Sequence, residues 1–248
     1  MKGINGKIII TNVVTLLRVI GIFALIPVYL NFGGFATFIL AVICFLTDLV
    51  DGFLARHLNS STFFGSLFDG VSDKFFLVIN LLLLCFITPY ALIPIGIELL
   101  IAIIQSFKYS YGYNIKANIF GKIKMWIAGI TISLSYLLVD NTFLVYLNNG
   151  ISTAIINFGT LKIINILILI LIVFETSTVI SYIIEYFKNK KYLTKEMREK
   201  RKLEENKLKE KIGNMSLKDM LFDHDFYIKY KDYGNLKLVR SFAKNSYK

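Results

Sequence analysis

The chain has 248 residues, of which 55% are hydrophobic and only 18% charged, and its mean hydropathy is +0.60. An ordinary soluble domain carries about 25% charged residues. These values exclude a disordered, collagen-like or disulfide-framed chain, and the long apolar runs of the first three quarters argue against a soluble globule. Cys44 and Cys85 both lie inside apolar runs and read as packing thiols. The net charge of +11 is uneven: Phe187 to Lys248 hold 18 Lys/Arg and 9 Asp/Glu, whereas the first 186 residues hold the other 10 basic and 8 acidic groups. The chain therefore divides into a nearly neutral apolar body, residues 1–188, and a basic tail, residues 189–248. Anionic lipid head groups explain a basic tail beside a membrane, so nucleic acid is not expected as a partner.

A bilayer core needs about 20 apolar residues as helix. Six runs reach or approach that length: Ile8–Tyr29, Phe35–Leu54, Leu67–Phe86, Tyr90–Gln105, Met125–Leu138 and Ile163–Tyr186. The expected fold is all-α, with six transmembrane helices. The first run carries Asn12, Thr15 and Arg18 and lacks a small-residue cleavage site, so it reads as a span and not as a signal peptide. Basic residues alternate between the links. Lys2 and Lys7 precede the first run, Arg56 follows the second, and Lys108, Lys116, Lys122 and Lys124 fill the link after the fourth. That alternation predicts both termini in the cytoplasm. Residues 139–160 then face outward, and their apolar half reads as lying in the interface. Lys188–Lys211 reads as a solvated helix, broken at Gly213-Asn214. The aromatic stretch beyond it, with Phe222, Phe226 and Tyr227, reads first as solvated extension and second as membrane-docking.

Four carboxylates sit in or beside two of the apolar runs: Asp48, Asp51, Asp69 and Asp73. Buried carboxylates are costly in a membrane unless they pair or bind metal. Asp48 and Asp51 are three apart and share one helical face; Asp69 and Asp73 are four apart and do the same on the next helix. Hard oxygen ligands on two linked helices suit Mg²⁺ or Mn²⁺. Two such ions clamp the attacking and leaving oxygens of a phosphate displacement. Between the carboxylates stand Gly52, Ala55, Arg56 and Gly65. A helical glycine costs about 1 kcal/mol relative to alanine, which close approach of a nucleotide would offset. Arg56 offers a bidentate fork for phosphate oxygens.

The stretch reads Asp48-x2-Asp51-Gly52-x2-Ala55-Arg56-x8-Gly65-x3-Asp69-x3-Asp73. Without gap or substitution it resembles the signature of the CDP-alcohol phosphotransferases. The resemblance covers roughly residues 7–188. It implies six membrane helices, a metal site on helices 2 and 3 open to the cytoplasm, and a homodimer. It also implies that an acceptor hydroxyl attacks the β-phosphorus of a CDP-activated alcohol and that CMP leaves. Carried over, Asp48, Asp51, Asp69 and Asp73 are the metal ligands, with Asp73 also the general base. Gly52, Ala55, Arg56 and Gly65 become the donor contacts.

Within that family the opening Asn12-Val-Val-Thr-Leu-Leu-Arg18, with Pro27 beyond it, resembles bacterial phosphatidylglycerophosphate synthases. So does Phe120-Gly121-Lys122-Ile123-Lys124. The subgroup resemblance implies CDP-diacylglycerol as donor, glycerol 3-phosphate as acceptor, Arg18, Lys122 and Lys124 as acceptor contacts, and a bacterial cytoplasmic membrane. Gly70 stands where the subgroup commonly has Pro, and Ile97 and Gln105 stand where it has Arg. Serine, inositol phosphate or phosphatidylglycerol remain alternative acceptors. A non-catalytic carrier of divalent ions or protons is the reading from another class. It accounts for buried acids but not for the spacing of Gly52, Ala55, Arg56 and Gly65.

Overall fold

The computed structural model describes residues 6–110, 119–140, 149–192 and 217–230, together with residues 143 and 203. The described residues form helices joined by short turns, without a strand. The helices are α1 (Gly6–His57), α2 (Phe63–Cys85), α3 (Leu92–Ser110) after a short 3-10 turn, α4 (Ile119–Val139), α5 (Asn149–Phe158), α6 (Thr160–Tyr192), α7 (Leu217–Phe222) and α8 (His224–Tyr230). Among the described residues four stretches are long and apolar enough to cross a membrane: Gly6–Ala55, Pro89–Phe107, Ile119–Val139 and Thr160–Phe187. The first two apolar runs share α1. The third lies in α2, whose 23 residues include Asp69, Asp73 and Lys74 in its first half.

At 1.5 Å per residue, 52 residues would extend far beyond a bilayer core of about 30 Å. The sequence breaks α1 at Gly33, whose φ of 80° and ψ of −168° are open to glycine alone. Its neighbour Gly34 packs so closely on α4 that an added Cβ would lie 2.5 Å from the Tyr136 carbonyl oxygen. The Asp140 carboxylate, just past α4, accepts the Phe35 N–H at 2.7 Å. It caps the start of the second half of α1, where orphan donors and the helix dipole favour an acid. The end of α4 therefore fixes where residues 34–57 begin.

Side-chain size closes the bundle. An added Cβ at Gly129 would meet the Phe45 ring at 2.6 Å, and one at Gly21 would meet Cys44 Sγ at 2.8 Å. Ile22, Leu77, Leu81, Ile132 and Ile168 are buried in the centre. Buried polar groups bond across helices: the Tyr136 hydroxyl donates to Asn80 Oδ1 at 3.0 Å, and Thr88 donates to Asn165 at 2.8 Å. Leu30, Phe32, Phe86 and Leu169 point outward. Small and polar residues inside with large apolar ones outside is the packing of helices in lipid.

Two elements depart from expectation. The helix α4 starts at Ile119, so Lys122 and Lys124 lie inside it and not in a link. The hydropathy pattern stops at these charges, but nothing in them breaks a helix. The basic tail is also not wholly a solvated extension. Within it α7 and α8 fold onto the start of α2, burying Met220 and Phe226 against Phe63.

Candidate active site

The link between α1 and α2 is short and held by backbone hydrogen bonds. Leu58 and Ser60 donate their N–H groups to the Leu54 and Ala55 carbonyls at 2.8 and 3.1 Å. Asn59 takes the left-handed conformation at φ 50°, which asparagine tolerates. The Thr62 hydroxyl then caps α2 by accepting the Gly65 N–H at 3.0 Å. This turn sets Asp69 and Asp73, one turn apart on α2, against Asp48 on α1. One carboxylate oxygen from each of Asp48, Asp69 and Asp73 lies within 4.8 Å of the others. Asp51 and Arg56 belong to α1, but their side chains lie outside the described residues.

Arg18 joins the three carboxylates. Its side chain is buried, and its guanidinium pairs with Asp48, with Asp69 at 2.6 Å and with Asp73 at 3.0 Å. It also donates to Ser72 Oγ at 2.6 Å, and that hydroxyl donates to the Asp69 carbonyl at 2.9 Å. The aspartates remain 30–42% exposed at their side chains. Three carboxylates facing one guanidinium leave negative charge uncompensated. Converging hard oxygens with excess negative charge fit a divalent cation.

Beside the cluster lies a cavity of about 440 Å³, within the usual size of a small-molecule site. Gly52, Ala55, Gly65 and Asp69 line it together with Asn12 and Thr15. An added Cβ at Gly65 would stand 3.2 Å from Thr62 Oγ1 and 3.3 Å from Asn12 Oδ1. Three of the four expected donor contacts are thus brought together at one cavity.

The expected acceptor contacts separate. Arg18 lies inside the carboxylate cluster. Lys122 is exposed on α4, whereas Lys124 is buried and ion-paired with Glu98 of α3. Neither lysine lines the cavity. Glu175 of α6 is also buried; its carboxylate has no hydrogen-bond partner among the described residues and lies within electrostatic reach of Glu98 and Lys124. Lys74 donates to Gln105 at 3.4 Å. Lys116 and the side chain of Lys108 lie outside the described residues. His224, Tyr227 and Ile228 of α8 line the cavity as well. The sequence places Tyr227 in a solvated or membrane-docking stretch and gives His224 and Ile228 no role, since an aromatic pair in a basic tail carries no spacing signal.

The family description "CDP-alcohol phosphatidyltransferase" matches residues 8–174. The chain belongs to the CDP-alcohol phosphatidyltransferase family. It is by that membership a transferase of phospholipid biosynthesis. A CDP-diacylglycerol–glycerol-3-phosphate 3-phosphatidyltransferase of Wigglesworthia glossinidia brevipalpis is 36% identical over 126 residues, covering 46% of this chain and 69% of the relative. The enzyme of that name from Pseudomonas fluorescens is 31% identical over 116 residues, covering 42% of this chain and 57% of the relative. The one from Escherichia coli K12 is 32% identical over 126 residues, covering 46% and 69%. The family match ends before α7 and α8 begin.

Proposed function

We propose that the chain transfers a phosphatidyl group from CDP-diacylglycerol to sn-glycerol 3-phosphate in a bacterial cytoplasmic membrane, releasing CMP and giving phosphatidylglycerophosphate. The observation that carries this reading is the convergence of Asp48, Asp69 and Asp73 beside a cavity lined by Gly52, Ala55 and Gly65. The choice of acceptor rests on the names of the relatives.

Gly52, Ala55 and Gly65 leave room for the nucleotide, and Arg56 takes pyrophosphate oxygens. Asp73 accepts the proton of the acceptor hydroxyl. That oxygen forms a bond to the phosphatidyl phosphorus while the bond to the CMP oxygen breaks. Asp48, Asp51, Asp69 and Asp73 would hold two divalent ions, Mg²⁺ or Mn²⁺, whose charge neutralises the pyrophosphate and the departing CMP. Arg18 orients the carboxylates and lies close enough to serve the acceptor side. Lys122 and Lys124 take the acceptor's phosphate as point charges, Lys124 by exchanging Glu98 for it. In the membrane the two halves of α1 each span, as do α2, α3, α4 and α6, with both termini and the site on the cytoplasmic side. Residues 1–188 form the membrane domain and 189–248 the cytoplasmic tail, and the working unit is a homodimer.

Ile97 and Gln105 favour a second reading, the same chemistry with serine, inositol phosphate or phosphatidylglycerol as acceptor. The test is CMP release by the detergent-purified protein from CDP-diacylglycerol with Mg²⁺ or Mn²⁺, offering each acceptor alone. Release with glycerol 3-phosphate alone is expected. Release with a different acceptor keeps the chemistry and changes the product. No release with any acceptor overturns CDP-diacylglycerol as the donor and points to a different CDP-alcohol, or, where CDP-diacylglycerol also fails to bind, to a non-catalytic ion or proton carrier.

A further inference from the structure

We infer that the C-terminal segment α7–α8 forms one wall of the donor cavity, and that Tyr227 and His224 contact the cytidine end of the donor. The inference rests on the proposed role of that cavity. One side of it is built from the motif, through Gly52, Ala55 and Gly65; another carries His224, Tyr227 and Ile228, more than 150 residues later in the chain.

The segment is seated by specific contacts. The Phe63 ring stands edge-on to Phe226 at 5.8 Å and to Tyr227 at 5.0 Å, and Phe64 lies 4.9 Å from Phe222. Met220 and Phe226 are only 2% and 7% exposed. The His224 Nδ1 lies 2.8 Å from the Ser61 carbonyl oxygen. Phe63, Phe64 and Ser61 belong to the turn and first residues that position Gly65 and Asp69. The tail is therefore docked on the element that shapes the site. Along α8, Phe226 is buried in the seat, Tyr227 both packs on Phe63 and reaches the cavity, and Ile228 lines it.

The chemistry of the two walls is complementary to a nucleotide. Threonine, serine and asparagine side chains on the motif side offer partners for phosphate and ribose oxygens. An aromatic ring and an aliphatic chain on the tail side offer flat apolar surface for a pyrimidine. Base–aromatic contacts of this kind contribute about 1–3 kcal/mol per base, which is roughly 5- to 150-fold in affinity.

The test uses the full chain in detergent and its variants Tyr227→Ala, His224→Ala and Phe226→Ala. It reads the KM for CDP-diacylglycerol, the KM for the acceptor and the affinity for CMP by calorimetry. Tyr227→Ala should raise the donor KM and weaken CMP binding by roughly tenfold, leaving the acceptor KM unchanged. Phe226→Ala should reproduce that loss by unseating α8, and His224→Ala should give a smaller loss of the same kind. If Tyr227→Ala does not fold, Ile228→Glu places a charge on the same wall from a half-exposed position and should weaken CMP binding in its place. Unchanged donor KM and CMP affinity, a change in the acceptor KM alone, or faster turnover in the variants would each overturn the inference. Wild-type protein that neither binds CMP nor releases it would overturn the donor cavity itself, and the inference with it.

Discussion

Arg18 and Lys124 are both basic side chains buried in an apolar bundle, at 2% and 6% exposure, yet they sit in opposite kinds of cluster. Arg18 faces three partly exposed carboxylates, of which Asp69 lines the cavity. Lys124 faces Glu98, and both side chains of that pair are 7% exposed. The first cluster has negative charge to spare and an opening; the second is a nearly closed pair with one more buried acid, Glu175, within its field. The planar fork of an arginine can hold several carboxylates together, whereas a lysine presents one compact charge. Excess negative charge beside an opening marks a place for a cationic ligand. A matched buried pair ties α3 to α4 and yields its lysine only to a stronger anion.

The comparison can be broken first at Asp73. Asp73→Asn should lower CMP release by roughly 10²–10⁴-fold, the usual contribution of a general base. CMP affinity measured on the same variant should stay within a few-fold of wild type. Loss of CMP binding in parallel would move Asp73 from the acceptor side to the donor side.

Arg18→Ala tests whether the guanidinium and a divalent ion share the carboxylates. Without Arg18 the aspartates lose their shared cation, at a cost of about 3–5 kcal/mol when no metal is present. Melting in EDTA should fall well below wild type, and Mn²⁺ should recover more stability in the variant than in wild type. Equal recovery in both would separate the two cations.

Gly34→Ala probes the far end of the second half of α1, 14 residues from Asp48 and so about 21 Å along the helix. The added methyl meets backbone that cannot move aside, and stability should fall by about 1–3 kcal/mol. Both Michaelis constants should stay as they are, which separates a packing defect from a site defect. The smallest kinetic effect is expected from Lys122→Ala combined with Lys124→Ala, which also strands the buried Glu98 and lowers stability. It should raise the acceptor KM by roughly tenfold and spare the donor KM. Unchanged acceptor KM would leave Lys124 a partner of Glu98 alone.

The site was legible where chemistry demands fixed spacing. Asp69 and Asp73, four apart, share a face of α2 and meet Asp48 across the short turn. The all-helical architecture was legible from apolar runs alone, including the interruption between Tyr29 and Phe35. The reason for that interruption was not: Gly33 and Gly34 are explained only by Asp140 and Tyr136, about a hundred residues away. Lys124 read as a link residue because a charge ends a hydropathy run, although it does not end a helix. The seat of α8 was illegible for the same reason as Gly34. Phe63 and Phe226 meet through tertiary packing, and no local pattern announces a partner at that distance.

The account turns on the carboxylate cluster being a divalent-ion site, and the most direct measurement is Mn²⁺ binding followed by electron paramagnetic resonance. The purified wild type and Asp69→Asn would be titrated side by side without nucleotide, after matched melting and elution show both to be folded. The account predicts bound Mn²⁺ in wild type and an affinity at least about tenfold weaker in Asp69→Asn, since one of the three converging ligands is lost. Equal affinity in the two proteins, or no bound Mn²⁺ in wild type, would contradict it.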